Sequence, residues 1–381
     1  MTTISTPPDL RVPKSRSVGF KHCGPAFVAA IAYVDPGNVV TNMTAGARYG
    51  TMLLWVVLLA TLIAGPVQYL AAKLGASTGR SLPQLIADRC STPWRLAYWT
   101  QAEIVSMATD LAEVVGAAIA LHLLFEVPLA AAGVIAAGAG AVLLALGDHW
   151  GLIVVPPSPV ELAAGLAPSL SGNGALVLAA GIVGATIMPH AVHVHTDLAR
   201  GHSHLASHRR DVATAMLVAG TTNAMMLVLG ASALRGSVGE DFSGIASAVA
   251  ERIGPAAQTA FLVALLVSGV TSTAVGTQSG AVVMNGLLLR PVPASARRLV
   301  TVLPVVILLA LGISPVMMLI VSQVVLAVGL PMVLIPMLAF TSSRRLMGVG
   351  VNPRAVTAGM SLATAGVVLL DLALLADALV G

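Results

Sequence analysis

Charged residues are scarce in this sequence. Asp, Glu, Lys and Arg together make up 9% of 381 residues, whereas 57% are hydrophobic. A soluble globular domain carries about 25% charged residues, so the composition excludes an ordinary soluble protein and is typical of a chain with several membrane spans. Aromatic residues are also rare, at 4%, which predicts thin aromatic belts at the membrane interfaces. The two cysteines, Cys23 and Cys90, exclude a disulfide framework.

The sequence also lacks the signatures of several other functions. It has no G-x-x-x-x-G-K-[ST] loop, so no nucleotide site is predicted. Its basic residues lie between apolar segments, which argues against nucleic-acid binding despite a net charge of +4. We predict neither an enzyme nor a resident cofactor. Residues 1–20 are polar and are expected to form a disordered cytoplasmic tail rather than a signal peptide.

Ten apolar segments follow this tail, and a helix needs about 20 such residues to cross a bilayer. They predict an all-α polytopic membrane protein with a single transmembrane domain over residues 21–381. The segments lie at 24–46, 51–74, 97–125, 128–147, 174–199, 212–234, 256–289, 299–313, 314–340 and 355–379.

Basic residues orient these segments, because cytoplasmic loops are enriched in Lys and Arg. Clusters precede the first segment and follow the second, fifth, seventh and ninth, which places the N-terminus in the cytoplasm. The linker 147–173 breaks the alternation, since the fourth segment should end in the cytoplasm and the fifth must begin outside. Either one spanning helix is missing there or the linker is buried in an unusual way.

The first segment contains an interruption, "DPGN" at residues 35–38. Pro36 removes a backbone donor and Gly37 tolerates non-helical geometry, so the helix should unwind at this point. Unwound backbone within a membrane is found where it lines a cavity or an ion site. Asp35 and Asn38 flank the break with oxygen donors, and a carboxylate in a membrane segment is a functional candidate by default.

The fifth segment contains a second predicted helix interruption, in "VGATIMPHAVHVHTDL", where Pro189 follows Met188 and precedes His190. Two broken helices at corresponding positions predict a site near the bilayer midplane. Oxygen donors combined with a thioether favour borderline and transition metals over calcium or magnesium. His190 is able to shuttle protons, since the unperturbed pKa of histidine lies near 6.5. A zinc-enzyme interpretation of these histidines lacks the H-E-x-x-H pattern.

Three carboxylates mark the third segment. Glu103, Asp110 and Glu113 are spaced by seven and three residues, which places them on one side of a helix. Such a stripe inside a membrane either lines water or pairs with basic groups. A proton route and a structural ion-pair network are the two interpretations.

These features resemble the Nramp family of proton-coupled divalent metal transporters, and its bacterial manganese importers in particular. Both hallmark motifs of the family, "DPGN" and "MPH", stand at the two helix breaks, and the similarity extends from about Gly24 to the C-terminus. The other matching stretches are "GPAF" (24–27), "ATDLAEVVG" (108–116), "GIVGAT" (181–186), "RRLVTVLP" (297–304) and "SQVVL" (322–326).

The resemblance implies a LeuT-like fold with discontinuous first and sixth-type helices. Its two inverted repeats would cover about 24–147 and 174–340, and an extra helix would follow at 355–379. The metal ligands that it implies are Asp35, Asn38 and Met188, joined in some conformations by the carbonyl groups of Ala32 and Ala185 and the side chain of Gln323. The proton route that it implies runs through Asp110 and Glu113, with Arg298 as the favoured basic partner and Arg297 as the alternative. We assign His190, which lies beside the metal in the family, to proton coupling or to tuning Asp35.

One departure from the family pattern is large. Family members carry a further spanning helix just after a "WG" that resembles Trp150 and Gly151, whereas this chain continues almost directly into "PVELAAGLAPSLSG". The fifth helix of the usual pattern is therefore expected to be missing, which leaves the first repeat incomplete. A smaller departure is Ala191, where family members usually have Asn.

We therefore predict a monomeric secondary transporter that imports Mn²⁺, and also Fe²⁺, together with protons through the bilayer of a bacterial plasma membrane. The missing helix motivates an alternative, a homologue that binds metal but does not transport it. A membrane enzyme is the third hypothesis, and no catalytic constellation supports it.

Overall fold

The structure of the chain is a computed structural model, which describes Ala26 and residues 31–143, 159–172, 174–201, 205–235, 242–288 and 294–380. The predicted N-terminal tail lies outside these residues. Within them the chain is helical and contains no β-strand. Short 3₁₀ turns lie at Ile31–Val34 and Gly348–Gly350. The α-helices are α1 (Pro36–Tyr49), α2 (Leu54–Thr78), α3 (Leu82–Arg89), α4 (Thr92–Phe125), α5 (Leu129–Leu143), α6 (Pro159–Ala164), α7 (Ala175–Ile187), α8 (Pro189–Leu198), α9 (Leu205–Ala233), α10 (Phe242–Arg252), α11 (Pro255–Leu287), α12 (Ala294–Ala310), α13 (Pro315–Thr341), α14 (Arg344–Met347) and α15 (Arg354–Val380).

Seven stretches of the described chain are helical, long and apolar enough to cross a membrane. They coincide with seven of the ten predicted segments, and they establish an integral membrane protein. The other three predicted segments overlap α1, α5 and α12, which are 14, 15 and 17 residues long. The seven spans are Leu54–Thr78, Thr92–Phe125, Ala175–Leu198, Ser207–Ala233, Pro255–Leu287, Pro315–Thr341 and Arg354–Asp377.

The described part of the linker between α5 and α7 contains only α6, a helix of six residues. The chain after α6 lies against the start of α2. The backbone N–H of Trp55 donates to the carbonyl of Gly165 at 3.0 Å, and the Trp55 indole N–H donates to the carbonyl of Ser169 at 3.2 Å. This stretch therefore lies at the end of the bundle where α1 ends and α7 begins. Residues 147–158 and 173 of the predicted linker lie outside the described residues.

Close helix contacts hold the two broken helices in the interior. Helix α1 lies so near α9 that a Cβ on Gly46 would overlap the backbone at Leu227, and Gly116 on α4 lies directly against Pro36. Small residues at helix crossings allow this approach, which strengthens packing where lipid supplies no hydrophobic driving force. Helix α4 also packs along α11 and α13. The carboxylate stripe of α4 is thereby placed beside the break before α1.

Candidate metal centre

The first break forms where the 3₁₀ turn Ile31–Val34 gives way to α1. Asp35 adopts an extended conformation and caps α1, because its Oδ1 accepts the backbone N–H of Asn38 at 2.8 Å. Pro36 is the first residue of the helix, a position where its missing N–H costs nothing. Asp35 is only 2% exposed, and its Oδ2 has no hydrogen-bond donor among the described residues. The interruption predicted from Pro36 and Gly37 is therefore present, with one carboxylate oxygen left free inside the protein.

The second break centres on Met188, between the end of α7 and Pro189 at the start of α8. Its backbone has φ 44° and ψ 99°, and it is one of two non-glycine residues with positive φ in the described chain. Such a conformation costs of order 1–3 kcal/mol and persists where the surrounding structure enforces it, often at functional sites. The side chain is fully buried. The thioether is thus fixed at the interruption.

Asn38 joins the two breaks directly. Its side-chain Nδ2 donates to the carbonyl of Tyr33 at 2.6 Å and to the carbonyl of Ala185 at 3.3 Å. Its Oδ1 accepts a hydrogen bond from Asn42 Nδ2 at 2.7 Å. The last turn of α7 and the first turn of α1 are therefore in contact. Asn42, one turn further along α1, was not predicted from the sequence, although a second Asn four residues later was the available signal.

Gln323 lies on α13 at the same site. Its Nε2 occupies the space where a Cβ of residue 37 would lie, so a side chain at this position would displace the Gln323 amide. The Asp35 Oδ2 atom lies 3.1 Å from the same position. Gln323 is fully buried, and its Oε1 has no donor among the described residues. The structure thus brings the predicted Gln323 next to the predicted carboxylate.

The two predicted carbonyl ligands are already engaged in this conformation. The carbonyl of Ala32 accepts the N–H of Asp35 at 3.1 Å, and the carbonyl of Ala185 accepts from Asn38. Each carbonyl oxygen has a second lone pair. Among the predicted ligands, the buried oxygens without a hydrogen-bond donor in the described structure are Asp35 Oδ2 and Gln323 Oε1. One carboxylate, two amides and one thioether form a mixed donor set that suits a borderline or transition metal better than calcium or magnesium.

The carboxylate stripe on α4 meets Arg297 of α12. The Arg297 Nε lies 3.0 Å from Glu103 Oε1, and its Nη2 lies 3.7 Å from Asp110 Oδ2. Arg297 also donates to Ser106 Oγ. The guanidinium is almost fully buried, so the pairing matters more than it would at a solvated surface. Glu103, which the family pattern left least defined, is the direct partner of this arginine.

Arg298 takes a different position from its neighbour. Its Nη1 donates to Thr277 Oγ1 on α11 at 3.3 Å, and among the described ion pairs the carboxylate contacts belong to Arg297. Glu113 faces Gly276 on the same helix, with its two carboxylate oxygens buried and without a donor among the described residues. Both predicted arginines therefore border the stripe, but its direct partner is Arg297, the predicted alternative, and not Arg298, the favoured residue.

Helix α8 is tied to α4 by two histidines. His190 Nδ1 lies 3.1 Å from Thr109 Oγ1, and His193 Nε2 lies 3.1 Å from the Tyr98 hydroxyl. Both histidines are buried. Thr109 is adjacent to Asp110, so His190 connects the second break with the start of the carboxylate pair. The Tyr98 partner was not predicted, because two residues 95 positions apart leave no local signal.

His195 is tied to α2 instead. Its Nδ1 lies 2.7 Å from Gln68 Oε1, and Gln68 Nε2 donates to the Tyr33 hydroxyl. All three side chains are buried. A continuous polar chain therefore runs from α8 to the residue that precedes the first break by two positions. This contact was not predicted from the sequence, although Gln68, an amide within an apolar segment, was the available signal.

The chain matches a family model along nearly all of its length. The Nramp model, described as natural resistance-associated macrophage protein-like, matches residues 26–150 and 149–377. The divalent metal cation transporter MntH of Mycobacterium tuberculosis (strain ATCC 25618 / H37Rv) is 45% identical, over 88% of this chain and 86% of its own. MntH of Bacillus subtilis (strain 168) is 38% identical, over 93% of this chain and 91% of its own.

Solved structures show the same fold. A crystal structure of the Eremococcus coleocola manganese transporter, in complex with an aromatic bis-isothiourea substituted compound, has a TM-score of 0.79 at 30% identity and covers 92% of this chain and 85% of that one. Mhp1, a nucleobase-cation-symport-1 family transporter, has a TM-score of 0.53 at 16% identity, over 85% and 79% of the two chains, and shows the fold alone. The all-helical, LeuT-like fold is thus confirmed. These relatives are transporters and not enzymes, as predicted, and this chain belongs to the Nramp family.

Proposed function

We propose that the chain is a secondary transporter that imports divalent transition metal ions, Mn²⁺ and Fe²⁺, together with protons across a bacterial plasma membrane. The observation that carries the proposal is the hydrogen bond between Asn38 and Ala185, which joins two interrupted helices at one buried point. Asp35 and Met188 lie at the two interruptions. The names of the relatives, divalent metal cation transporter and manganese transporter, support the same conclusion.

The metal would bind to Asp35, Asn38, Met188 and Gln323, with the Ala32 and Ala185 carbonyls as further ligands. Asn38 Oδ1 accepts one hydrogen bond from Asn42 in this conformation and keeps a second lone pair for a metal. The Asn38 Nδ2 atom meanwhile donates to the Ala185 carbonyl. Metal binding would therefore join the two breaks through one shared ion beside this hydrogen bond, and this couples occupancy to the relative position of α1 and α7.

The proton would move along α4. Glu113 and Asp110 are buried one to two turns from Gly116, which lies against Pro36. His190 approaches the same stretch through Thr109. A carboxylate without a donor inside a membrane protein is a natural proton acceptor. The pairing of Arg297 with Glu103 and Asp110 holds a positive charge beside this route.

Flux into vesicles tests the transport proposal. The purified chain in proteoliposomes that contain a metal-quenched dye should take up Mn²⁺, faster when an inward proton gradient is imposed. Asp35→Ala should reduce uptake to the level of protein-free vesicles, because it removes the one carboxylate of the site. Equal uptake by the unmodified chain and Asp35→Ala would refute the proposal.

The thioether is tested by selectivity. Met188→Ala should lower Cd²⁺ uptake more strongly than Mn²⁺ uptake, because sulfur ligands favour softer ions. Met317→Ala is the matched control, since Met317 is 58% exposed on α13 and its loss should change neither rate. An equal loss for both metals in Met188→Ala would show that Met188 packs but does not coordinate.

A second function is favoured by the linker: a homologue that binds metal without transporting it. The alignments with the M. tuberculosis and B. subtilis relatives run over 369 and 388 positions but cover 88% and 93% of this 381-residue chain, so about 34 positions in each have no residue here. That length suits one membrane helix with its loop. The two family matches meet at residues 149–150, which supports a loss of the fifth helix at this point.

Binding and flux separate the two functions. The transport-deficient homologue would bind Mn²⁺ in calorimetry, with weaker binding in Met188→Ala, and would give no flux above protein-free vesicles. Gradient-dependent flux would exclude it. In either case we propose ten membrane crossings by the predicted segments, a cytoplasmic N-terminus, one transmembrane domain over 21–381 and a monomer.

A further inference from the structure

A groove of about 280 Å³ lies at the end of the bundle opposite to the start of α2. It is bounded by the end of α3, the first turns of α4 and the last turns of α13. Its wall on α13 is apolar and includes Met332, Pro336 and Phe340. These residues are spaced by four and therefore share one helix face. Arg89 and Cys90 lie at its mouth.

The depth of the groove is that of a membrane interface. Helix α13 ends at Thr341 and α4 begins at Thr92, so the groove lies at the extremity of two spanning helices. Trp94 lines it and is 71% exposed. Tryptophan is enriched at the level of the lipid headgroups. The apolar wall would thus meet acyl chains, and the mouth would meet headgroups.

Arg89 supplies the charge at the mouth. Its guanidinium lies 5.3 Å from the centre of the Phe340 ring, a cation–π contact that holds it above the apolar wall. Arg89 forms no ion pair among the described residues, and the neighbouring carboxylate of Asp88 is engaged with Arg80. Arg344 and Arg345, exposed a few residues beyond Phe340, add to the positive charge. A guanidinium above an apolar slot matches a phosphate above an acyl chain.

We propose that this groove binds an anionic phospholipid, with the phosphate on Arg89 and one acyl chain between α4 and α13. The N-terminal residues of the chain are a poorer occupant, because Lys14, Arg16 and Lys21 carry the same sign of charge as Arg89. A zwitterionic lipid would fill the slot but would gain less from the arginine. The proposal depends on neither the transported ion nor the number of crossings.

Cys90 provides a probe within the groove, because it is a free and exposed cysteine. In a Cys23→Ser background, Cys90 is labelled with bimane and the protein is placed in phosphatidylcholine vesicles that contain brominated lipid, which quenches a nearby fluorophore. Brominated phosphatidylglycerol should reach half of its maximal quenching at a lipid fraction about fivefold lower than brominated phosphatidylcholine. This factor corresponds to the roughly 1 kcal/mol that a basic residue contributes near an anionic membrane surface.

Two variants complete the test. Arg89→Gln should make the two brominated lipids equally effective, whereas Arg354→Gln, which removes an exposed arginine outside the groove, should leave the fivefold preference unchanged. Equal quenching by both lipids in the unmodified chain would overturn the proposal and show a slot filled without headgroup selection. Absence of quenching by either lipid would also overturn it, because no lipid would then lie beside Cys90.

Discussion

At the scale of single residues, Arg297 and Arg298 show how neighbours in sequence acquire different roles. Arg297 is buried between Glu103 and Asp110, whereas Arg298 reaches Thr277. The sequence prediction favoured Arg298 as the basic partner of the carboxylate stripe, with Arg297 as the alternative, whereas the structure pairs Arg297 with it. That choice depends on how α12 is rotated about its own axis, and the largely apolar segment that follows both residues does not fix this rotation.

Replacing each arginine by glutamine should separate the two roles. Arg297→Gln should lower the free energy of unfolding by about 3–5 kcal/mol, because it leaves buried carboxylates without their cation. Arg298→Gln should cost about 1 kcal/mol, the usual value of one hydrogen bond. Thermal unfolding of the detergent-solubilised protein measures both changes. Adding Glu103→Gln to Arg297→Gln should recover part of the loss, and equal losses in the two single variants would contradict the assignment.

At the scale of elements, the two helix breaks were predictable and their partners were not. Proline acts on the residues next to it, so Pro36 and Pro189 marked the starts of α1 and α8 from the sequence alone. The contacts that fix α8, from His193 to Tyr98 and from His195 to Gln68, join residues that are 95 and 127 positions apart. Their formation depends on helix packing, which no local pattern encodes.

The contact between α4 and the first break gives a prediction at this scale. Gly116→Ala would place a Cβ where Pro36 lies, and overpacking of this kind costs about 1–3 kcal/mol. The substitution should therefore lower thermal stability and also weaken Mn²⁺ binding, because it displaces the break. Gly359→Ala on α15 is the matched control, since nothing lies within 4 Å of its added Cβ. It should be neutral or stabilising by up to about 1 kcal/mol, and equal effects of the two substitutions would contradict the role of this contact.

At the scale of the whole molecule, the sequence did not determine how many times the chain crosses the membrane. Basic clusters required the chain to change sides between the fourth and fifth segments. The structure places residues 165–172 at the end of the bundle where α2 begins, through Trp55. Helix α5 follows α4 after a short turn and packs against it, so it runs back from that same end. Helix α5 therefore points away from the end of the bundle at which residues 165–172 lie.

Cysteine labelling of intact cells measures on which side of the membrane the two ends of the linker lie. A membrane-impermeant maleimide should label Ser171→Cys from outside in a chain that lacks the native cysteines, because Ser171 is exposed beside the start of α2. Native Cys90, in a Cys23→Ser chain, should react only after permeabilisation. Cys90 lies beyond the other end of α2, whose 25 residues span about 37 Å.

Gly147→Cys should behave as Cys90 does if α5 completes its crossing. Labelling of both positions 147 and 171 from outside would show instead that α5 does not traverse the bilayer. Labelling of Cys90 from outside, with protection of position 171, would show that the bundle has the opposite orientation. That result would contradict the orientation inferred from the arginines, because cytoplasmic loops are the ones enriched in Lys and Arg.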